Sequence, residues 1–188
     1  MTAKNYDLVV SLGTDYHHFD RLVSWVDAYL AEHPDVSCLV QHGFTAAPQQ
    51  AEAVERISRA ELLELYRAAK VVLVQGGPGS ILDAREVGAI PLAVPRRTEL
   101  DEVVDNHQVE FSRVMEEHGE TIVVTSAEDL ARRLDAALAN PESLQGTLRV
   151  PGNNEAADKL SNQLLTLEQQ HHSFIRRARQ IVSGLRNK

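Results

Sequence analysis

The chain has 188 residues, 43% of them apolar and 24% charged, a length and balance that suit one ordinary globular domain and exclude a disordered chain. Its formal net charge of −8 argues against a protein built to coat nucleic acid. The single cysteine, Cys38, excludes a disulfide framework, and residues 1–7 hold no apolar signal segment. No apolar run approaches the length of a membrane span, so a soluble cytoplasmic protein is expected.

Taken in chain order, Leu8, Val9, Val10 and Ser11 read as a buried strand ending at Gly13. Residues 20–33 place Leu22, Val26, Tyr29 and Leu30 on one helical face, with Asp20 as N-cap and Pro34 as a stop. A second strand is expected over 36–41, closed by Gly43, then a loop over 45–52 and a short strand over 54–57. Ser58 and Glu61 have the spacing of a capping box and open a helix to about Lys70. Val71, Val72, Leu73 and Val74 form a continuous apolar strand of the kind covered on both faces of a parallel sheet. The turn Gly76-Gly77-Pro78-Gly79 leads into a helix over 80–87. A strand over 91–94, a helix over 106–118, a strand over 121–124 and a Ser126-capped helix to 139 follow. Beyond Pro151 and Gly152, a last helix spans about 154–183.

Strands alternating with helices predict right-handed βαβ units and a doubly wound parallel sheet, an α/β Rossmann-like unit over 1–152. The C-terminal helix, 153–188, ends in a basic stretch. Five of the 19 Lys and Arg lie after Glu168 (Arg176, Arg177, Arg179, Arg186, Lys188), and none of the 27 Asp and Glu do. Such an end either meets anionic lipid or an acidic partner, or is a solvated helix terminus with cations favoured by the dipole. Ligands of such sheets bind at the carboxyl ends of the strands, so the loops after the first, second, fourth and fifth strands carry the candidate site.

The segment from Gln75 to Ser80 joins the apolar strand to a helix start, where glycines admit close backbone approach and free N–H groups favour phosphate. It is not a dinucleotide fingerprint, because Leu82 stands where the third glycine belongs, and it lacks the Gly-Lys-Ser/Thr ending of a Walker loop. By itself the turn reads equally as a structural feature.

Its surroundings narrow the reading. Gly77-Pro78-Gly79-Ser80-Ile81-Leu82-Asp83 is followed by Ile90-Pro91, by Val94-Pro95-Arg96-Arg97 and by Asp105-Asn106-His107-Gln108. Upstream stand Val9-Val10-Ser11-Leu12-Gly13-Thr14 and Phe19-Asp20-Arg21-Leu22-Val23. This ordered series, reaching to about Gly119, resembles the C-terminal, nucleotide-sugar-binding half of glycosyltransferase family 28, which has the GT-B fold. It is most similar to the small catalytic subunits of two-component UDP-sugar transferases of dolichol-glycan or bacterial exopolysaccharide synthesis. Two departures stand out: Gln75 replaces a usual His and cannot donate a proton near neutral pH, and one extra residue lies between Asp83 and Pro91.

The resemblance implies a UDP site made of Gly13, Thr14, Gln75, Gly77, Gly79, Ser80 and Asp83. Gly77, Gly79 and Ser80 would hold phosphate through N–H groups and the hydroxyl, with Gly13 and Thr14 facing it across the cleft. Asp83 would accept from the ribose diol, a task that suits an acceptor-only carboxylate. Asn106, His107 and Gln108 would bind sugar hydroxyls. His107 is the candidate base within the chain, although the resemblance puts the base on the acceptor side. Asp105 reads as an N-cap.

Arg96 and Arg97 read either as diphosphate or partner contacts or as solvated loop residues. His17-His18 and His171-His172 lack the accompanying ligands and spacing of a metal site, but His17 and His18 lie on the first loop, where a leaving-group contact is open. Trp25 and Met115 read as core, and Cys38 as a small apolar residue rather than a nucleophile.

The expected function is therefore the donor-binding catalytic subunit of an inverting UDP-sugar glycosyltransferase, with no cofactor or metal and with the UDP-sugar as substrate. A membrane-anchored partner would carry the general base and a lipid-linked sugar acceptor, holding this subunit at the inner face of the membrane. The alternative is a non-catalytic nucleotide-sugar-binding or regulatory module, which Gln75 favours. An NAD-linked oxidoreductase is disfavoured by Leu82 and by the late position of the glycine turn.

Overall fold

The computed structural model describes residues 5–148. The expected C-terminal helix, its basic end and the His171-His172 pair lie outside these described residues. Within them, helices join the strands β1 (Leu8–Ser11), β2 (Cys38–Gln41), β3 (Glu52–Val54), β4 (Val71–Gln75), β5 (Leu92–Val94) and β6 (Ile122–Val123), except that a loop alone connects β2 to β3. The helices are α1 (Asp20–Glu32), α2 (Arg59–Ala68), α3 (Pro78–Glu86), α4 (His107–Glu117) and α5 (Ala127–Ala139).

All six strands are parallel, in the order β3-β2-β1-β4-β5-β6. Leu8 pairs with Cys38 on one side and with Val71 on the other, so β1 and β4 are the central pair. The period-2 alternation of side chains divides the core between the two faces. Leu8, Val10, Leu73 and Leu92 pack with Leu22 and Val26 of α1 and Leu130 and Leu134 of α5. Val9, Val72, Val74 and Ala93 face the other way, against Tyr66 of α2, Ile81 and Ala84 of α3 and Met115 of α4. This double cover is why β4 is a continuous apolar run. Truncating a side chain such as fully buried Leu73 to Ala costs about 2–5 kcal/mol.

Local chemistry sets the helix starts. The Ser58 hydroxyl accepts from the Glu61 N–H at 3.2 Å while the Glu61 carboxylate accepts from the Ser58 N–H at 3.2 Å, so the capping box forms as its spacing predicts. Ser126 caps α5 through the Asp129 N–H at 3.1 Å. Asp20 does not cap α1. It is the first helical residue, and Phe19 before it gives its own N–H to the Thr45 hydroxyl at 2.9 Å, tying α1 to the loop after β2.

Several boundaries shift by one to three residues from the sequence expectation, and two of the shifts have a clear local cause. The edge strand β3 covers Glu52–Val54 rather than 54–57, because its register against Leu39, Val40 and Gln41 is set by β2 and not by its own hydrophobicity. Helix α3 begins at Pro78 rather than Ser80, since proline suits the first helical position, where its missing N–H is no loss. Cys38 and Met115 are buried and Trp25 packs partly buried against the core. Burial pushes the Cys38 thiol up to about 12, which keeps it an apolar filler.

The chain leaves β1 toward β2 and leaves β4 toward β5, on opposite sides of the central pair. The loops that follow β1 and β4 therefore part at a switch point, which is where an open α/β sheet forms its ligand crevice.

Candidate functional site

The two glycine turns meet at this switch point, and Gln75 joins them. Its Oε1 accepts from the Gly77 N–H at 2.6 Å and its Nε2 donates to the Ser80 hydroxyl at 3.1 Å. A Cβ on Gly77 would lie 2.6 Å from Gln75 Oε1, and one on Gly13 would lie 2.9 Å from its Nε2. Gly13 also has φ +77°, a left-handed conformation that favours glycine. Below it, Gln41 Nε2 donates to the Gly13 carbonyl at 3.2 Å, and its Oε1 accepts from the Ser11 hydroxyl at 2.6 Å.

The four glycine-turn residues differ in what surrounds them. The expectation that Gly77 offers a free N–H to phosphate is corrected, because that group is given to Gln75. A Cβ on Gly76 would sit 2.7 Å from Pro95 Cα, so this glycine is required by packing against the loop after β5. Only Gly79 faces open space, with nothing within 4 Å of its virtual Cβ. The N–H groups of Gly79 and Ser80 have no partner among the described residues; as second and third positions of α3 they are the donors the first turn leaves for a ligand. Thr14 is exposed beside Gly13.

Asp83 lies one turn into α3 but is not unpartnered. Arg59, at the start of α2, grips its Oδ1 through Nε at 3.0 Å and Nη2 at 2.8 Å and also reaches Glu86 at 2.5 Å. These two carboxylates raise the pKa of the Arg59 guanidinium, Asp83 first. Oδ2 of Asp83 has no such partner among the described residues.

The segment before α4 is arranged differently from its sequence reading. Asn106 Oδ1 accepts from the Thr98 N–H and hydroxyl at 3.2 and 3.0 Å, and Gln108 Oε1 accepts from the Arg96 N–H at 3.3 Å. His107 is exposed, with Nδ1 2.7 Å from Asp105 Oδ1. Asp105 accepts the His107 N–H at 3.0 Å, although the residue at the capping position is Asn106. The His107 backbone N–H and then its ring hold the Asp105 carboxyl below the usual range.

Arg96 is the largest correction. It is 1% exposed, so it neither faces a diphosphate nor forms a solvated loop. Its guanidinium donates to the carbonyls of Leu12 (3.1 Å), His17 (2.8 Å), His18 (3.4 Å) and Glu102 (2.9 Å) and stacks 4.6 Å from the Phe19 ring. It thereby pins the loop after β1 to the loop after β5. Burial lowers its pKa, against the opposing pull of Asp15 and Glu102. The Glu102 carboxylate is taken by Arg21, at 2.8 Å to each oxygen, and by the Arg97 N–H at 3.0 Å. No group of three or more metal-ligating side chains occurs among the described residues.

The structure thus brings Gly13, Gln75, Gly77 and Ser80 into contact and links Gln108 to them through Arg96. Asp83 is turned toward α2, and His107 stands alone with Asp105. Sequence reasoning missed Arg59 and Gln41, whose roles arise only from folding. Two concavities of about 570 and 520 Å³, at the start of α5 and beneath α2, contain none of these residues.

The fold has counterparts among known proteins. Curated protein sequences give no match. Among solved structures, MurG of Acinetobacter baumannii is similar at 16% identity and TM-score 0.54, over 77% of this chain and 44% of that one. The calicheamicin glycosyltransferase CalG4 is similar at 18% identity and TM-score 0.53, over 85% and 43%. A Methanocaldococcus jannaschii UDP-GlcNAc 2-epimerase, solved with UDP-GlcNAc and UDP, is similar at 13% identity and TM-score 0.55, over 83% and 45%. At these identities the likeness concerns the fold, and the chain spans less than half the length of each of these proteins. The sequence profile of the glycosyltransferase family 28 C-terminal domain matches residues 8–164. With that match over most of its length and a GT-B half-domain fold, the chain belongs to the glycosyltransferase family 28 C-terminal domain family.

Proposed function

We propose that the chain is the donor-binding half of a UDP-sugar-dependent inverting hexosyltransferase, with its acceptor half on a membrane-anchored partner and a lipid-linked sugar as acceptor. The observation that carries this reading is the pair of N–H groups of Gly79 and Ser80, which open α3 at the switch point of a family 28 domain and have no partner among the described residues. Donors fixed before the reaction stabilise the charge that develops on a departing diphosphate, and they do so without reorganising. Gln75 keeps the turn in shape by holding the Gly77 N–H and the Ser80 hydroxyl. Asp83 offers Oδ2 to a ribose diol while Arg59 fixes its orientation from behind.

Support for a facing protein surface comes from four exposed apolar side chains on the loops at this end of the sheet: Tyr16, Phe44, Leu100 and Val104. A facing protein surface would cover these side chains. No helix among the described residues is long and apolar enough to cross a membrane, and membrane attachment through a partner belongs to the proposal.

A second reading, a nucleotide-sugar-binding or regulatory module without catalysis, draws on Gln75, whose carboxamide occupies one N–H of the turn and carries no transferable proton. Co-expression with a candidate partner, followed by assay of sugar transfer from a panel of UDP-sugars, separates the two. Transfer that requires both chains supports the enzyme. UDP binding with no transfer from any donor in the presence of the partner leaves the binding module.

A further inference from the structure

We infer that Gln75 is a positioning residue of the donor site, which occupies the acceptor side of the Ser80 hydroxyl and so leaves the Ser80 O–H proton for a phosphate oxygen at the start of α3; this rests on the UDP-sugar reading of the glycine turns. Gln75 ends β4, and its half-buried carboxamide meets two groups of different kind. The Gly77 N–H, at 2.6 Å, can only donate. The carboxamide oxygen therefore has to face Gly77, and the amide nitrogen has to face Ser80. That nitrogen can only donate in its turn, so the Ser80 Oγ, at 3.1 Å, is the acceptor.

The direction of these bonds decides what Ser80 has left to offer. With Nε2 as the donor, the hydroxyl proton points away from Gln75, and it has no acceptor among the described residues. Side chains of a helix tilt toward its N-terminus, and the bond back to Gln75 puts the Ser80 Oγ at that end of α3. The unused O–H thus shares a helix end with the unpartnered N–H groups of Gly79 and Ser80. Donors gathered at one helix start suit a group with several acceptor oxygens, which describes a phosphate. A freely rotating hydroxyl would spend part of its time presenting a lone pair, which a phosphate oxygen cannot use, and Gln75 removes that alternative. A carboxylate in the same place would reverse the bond. It would still accept from the Gly77 N–H, but its other oxygen also accepts and would turn the Ser80 proton inward.

Because Gln75 also closes the glycine turn, the test has to separate a brace from an effect that runs through Ser80. UDP and uridine are each titrated by calorimetry into the full chain, native and with Ser80→Ala, Gln75→Met or Gln75→Glu, and with each Gln75 change combined with Ser80→Ala. Thermal melting checks folding. Ser80→Ala is expected to weaken UDP about tenfold, the scale of one hydrogen bond to a charged group, and Gln75→Met about fourfold. Gln75→Glu keeps the acceptor for the Gly77 N–H, so it should melt close to the native protein and yet weaken UDP more than Ser80→Ala does. In the Ser80→Ala background Gln75→Met should change UDP affinity less than about twofold, and the effect of Gln75→Glu should shrink at least about fivefold, to what charge repulsion alone imposes. Uridine, which has no phosphate, should bind all variants nearly equally. If Gln75→Met lowers the melting temperature, the two Gln75→Glu measurements decide. Equal effects of the Gln75 changes with and without the Ser80 hydroxyl overturn the inference, in favour of a turn brace or a direct contact. Tighter UDP binding by Gln75→Met overturns it in favour of a self-ligand that masks the Gly77 N–H, and a parallel loss of uridine overturns it as well. Native protein that binds UDP, with every Gln75 variant unchanged, overturns this inference alone. Folded native protein that binds no UDP overturns the underlying site reading and this inference with it.

Discussion

The side-chain carbonyl of Gln75 accepts a 2.6 Å hydrogen bond from the Gly77 N–H, closing the glycine turn on itself. The same carboxamide fills the space where side chains on Gly13 and Gly77 would stand. Those two glycines are thus explained by Gln75, and only the outward-facing Gly79 is left for a ligand.

That distinction predicts opposite outcomes for two Gly→Ala changes. Gly76→Ala puts a methyl 2.5 Å from the Ser112 hydroxyl and 2.7 Å from Pro95 Cα. Backbone cannot give way cheaply, so a loss of about 3 kcal/mol is expected in urea unfolding. Gly79→Ala meets nothing in the folded chain. It should raise stability by about 0.5–1 kcal/mol, the helix preference of Ala over Gly, while weakening UDP several-fold by calorimetry.

Asp83 is expected to contribute to nucleotide binding more than to folding. Its pair with Arg59 involves a guanidinium that is mostly exposed, and such pairs are worth at most about 1 kcal/mol. Asp83→Ala should leave the melting temperature nearly unchanged and weaken UDP by about 1–3 kcal/mol. Equal affinity for UDP in the variant would remove the ribose assignment.

Arg96 should behave in the reverse way. Arg96→Met leaves the carbonyls of Leu12, His17 and Glu102 without their donor in a buried setting. A destabilisation of about 3 kcal/mol is expected. Arg96→Lys should recover little of it, because a compact ammonium cannot span carbonyls from two loops. Chemical denaturation of both variants tests this.

Acid sensitivity has a definite source at the opposite end of the sheet. Lys70 and then Ser37 pull the Asp7 carboxyl down to about 2, with Lys70 Nζ at 2.7 Å and the Ser37 hydroxyl at 2.6 Å. A carboxyl lowered on folding stabilises the protein above its unfolded value, near 4, and loses that contribution as pH falls toward 2. Allowing for the exposure of Lys70, the share is about 1–2 kcal/mol. Asp7→Asn should lower stability at pH 7 and flatten its decline between about pH 5 and pH 2, as followed by melting curves.

The fold was legible where chemistry is local. The apolar run of β4 announced a doubly covered strand, the Ser58–Glu61 spacing a helix start, and the Gly76–Gly79 segment a strand-to-helix turn. The short edge strand β3 was misplaced because its limits depend on pairing with β2. Site residues were legible as an ordered series of motifs, but their partners were not. Arg96 reads as a surface cation in sequence, and its Leu12 partner lies 84 residues away. Arg59 gives no sign of reaching Asp83, 24 residues on. Gln75 reads as a departure from the family pattern, whereas in the fold it braces two glycine turns. Backbone carbonyls leave no trace in a sequence, which is why the buried guanidinium that they hold was missed.

The claim on which all of this depends is that the Gly79–Ser80 turn and the facing Gly13 loop form a nucleotide-sugar site. Titrating UDP into the isotopically labelled full chain while following backbone amide resonances tests it most directly. The account predicts saturable shifts concentrated at Gly13, Thr14, Gly79, Ser80 and Asp83, with α5 unaffected. Absence of saturable binding, or shifts confined to residues away from the carboxyl ends of β1 and β4, would contradict it.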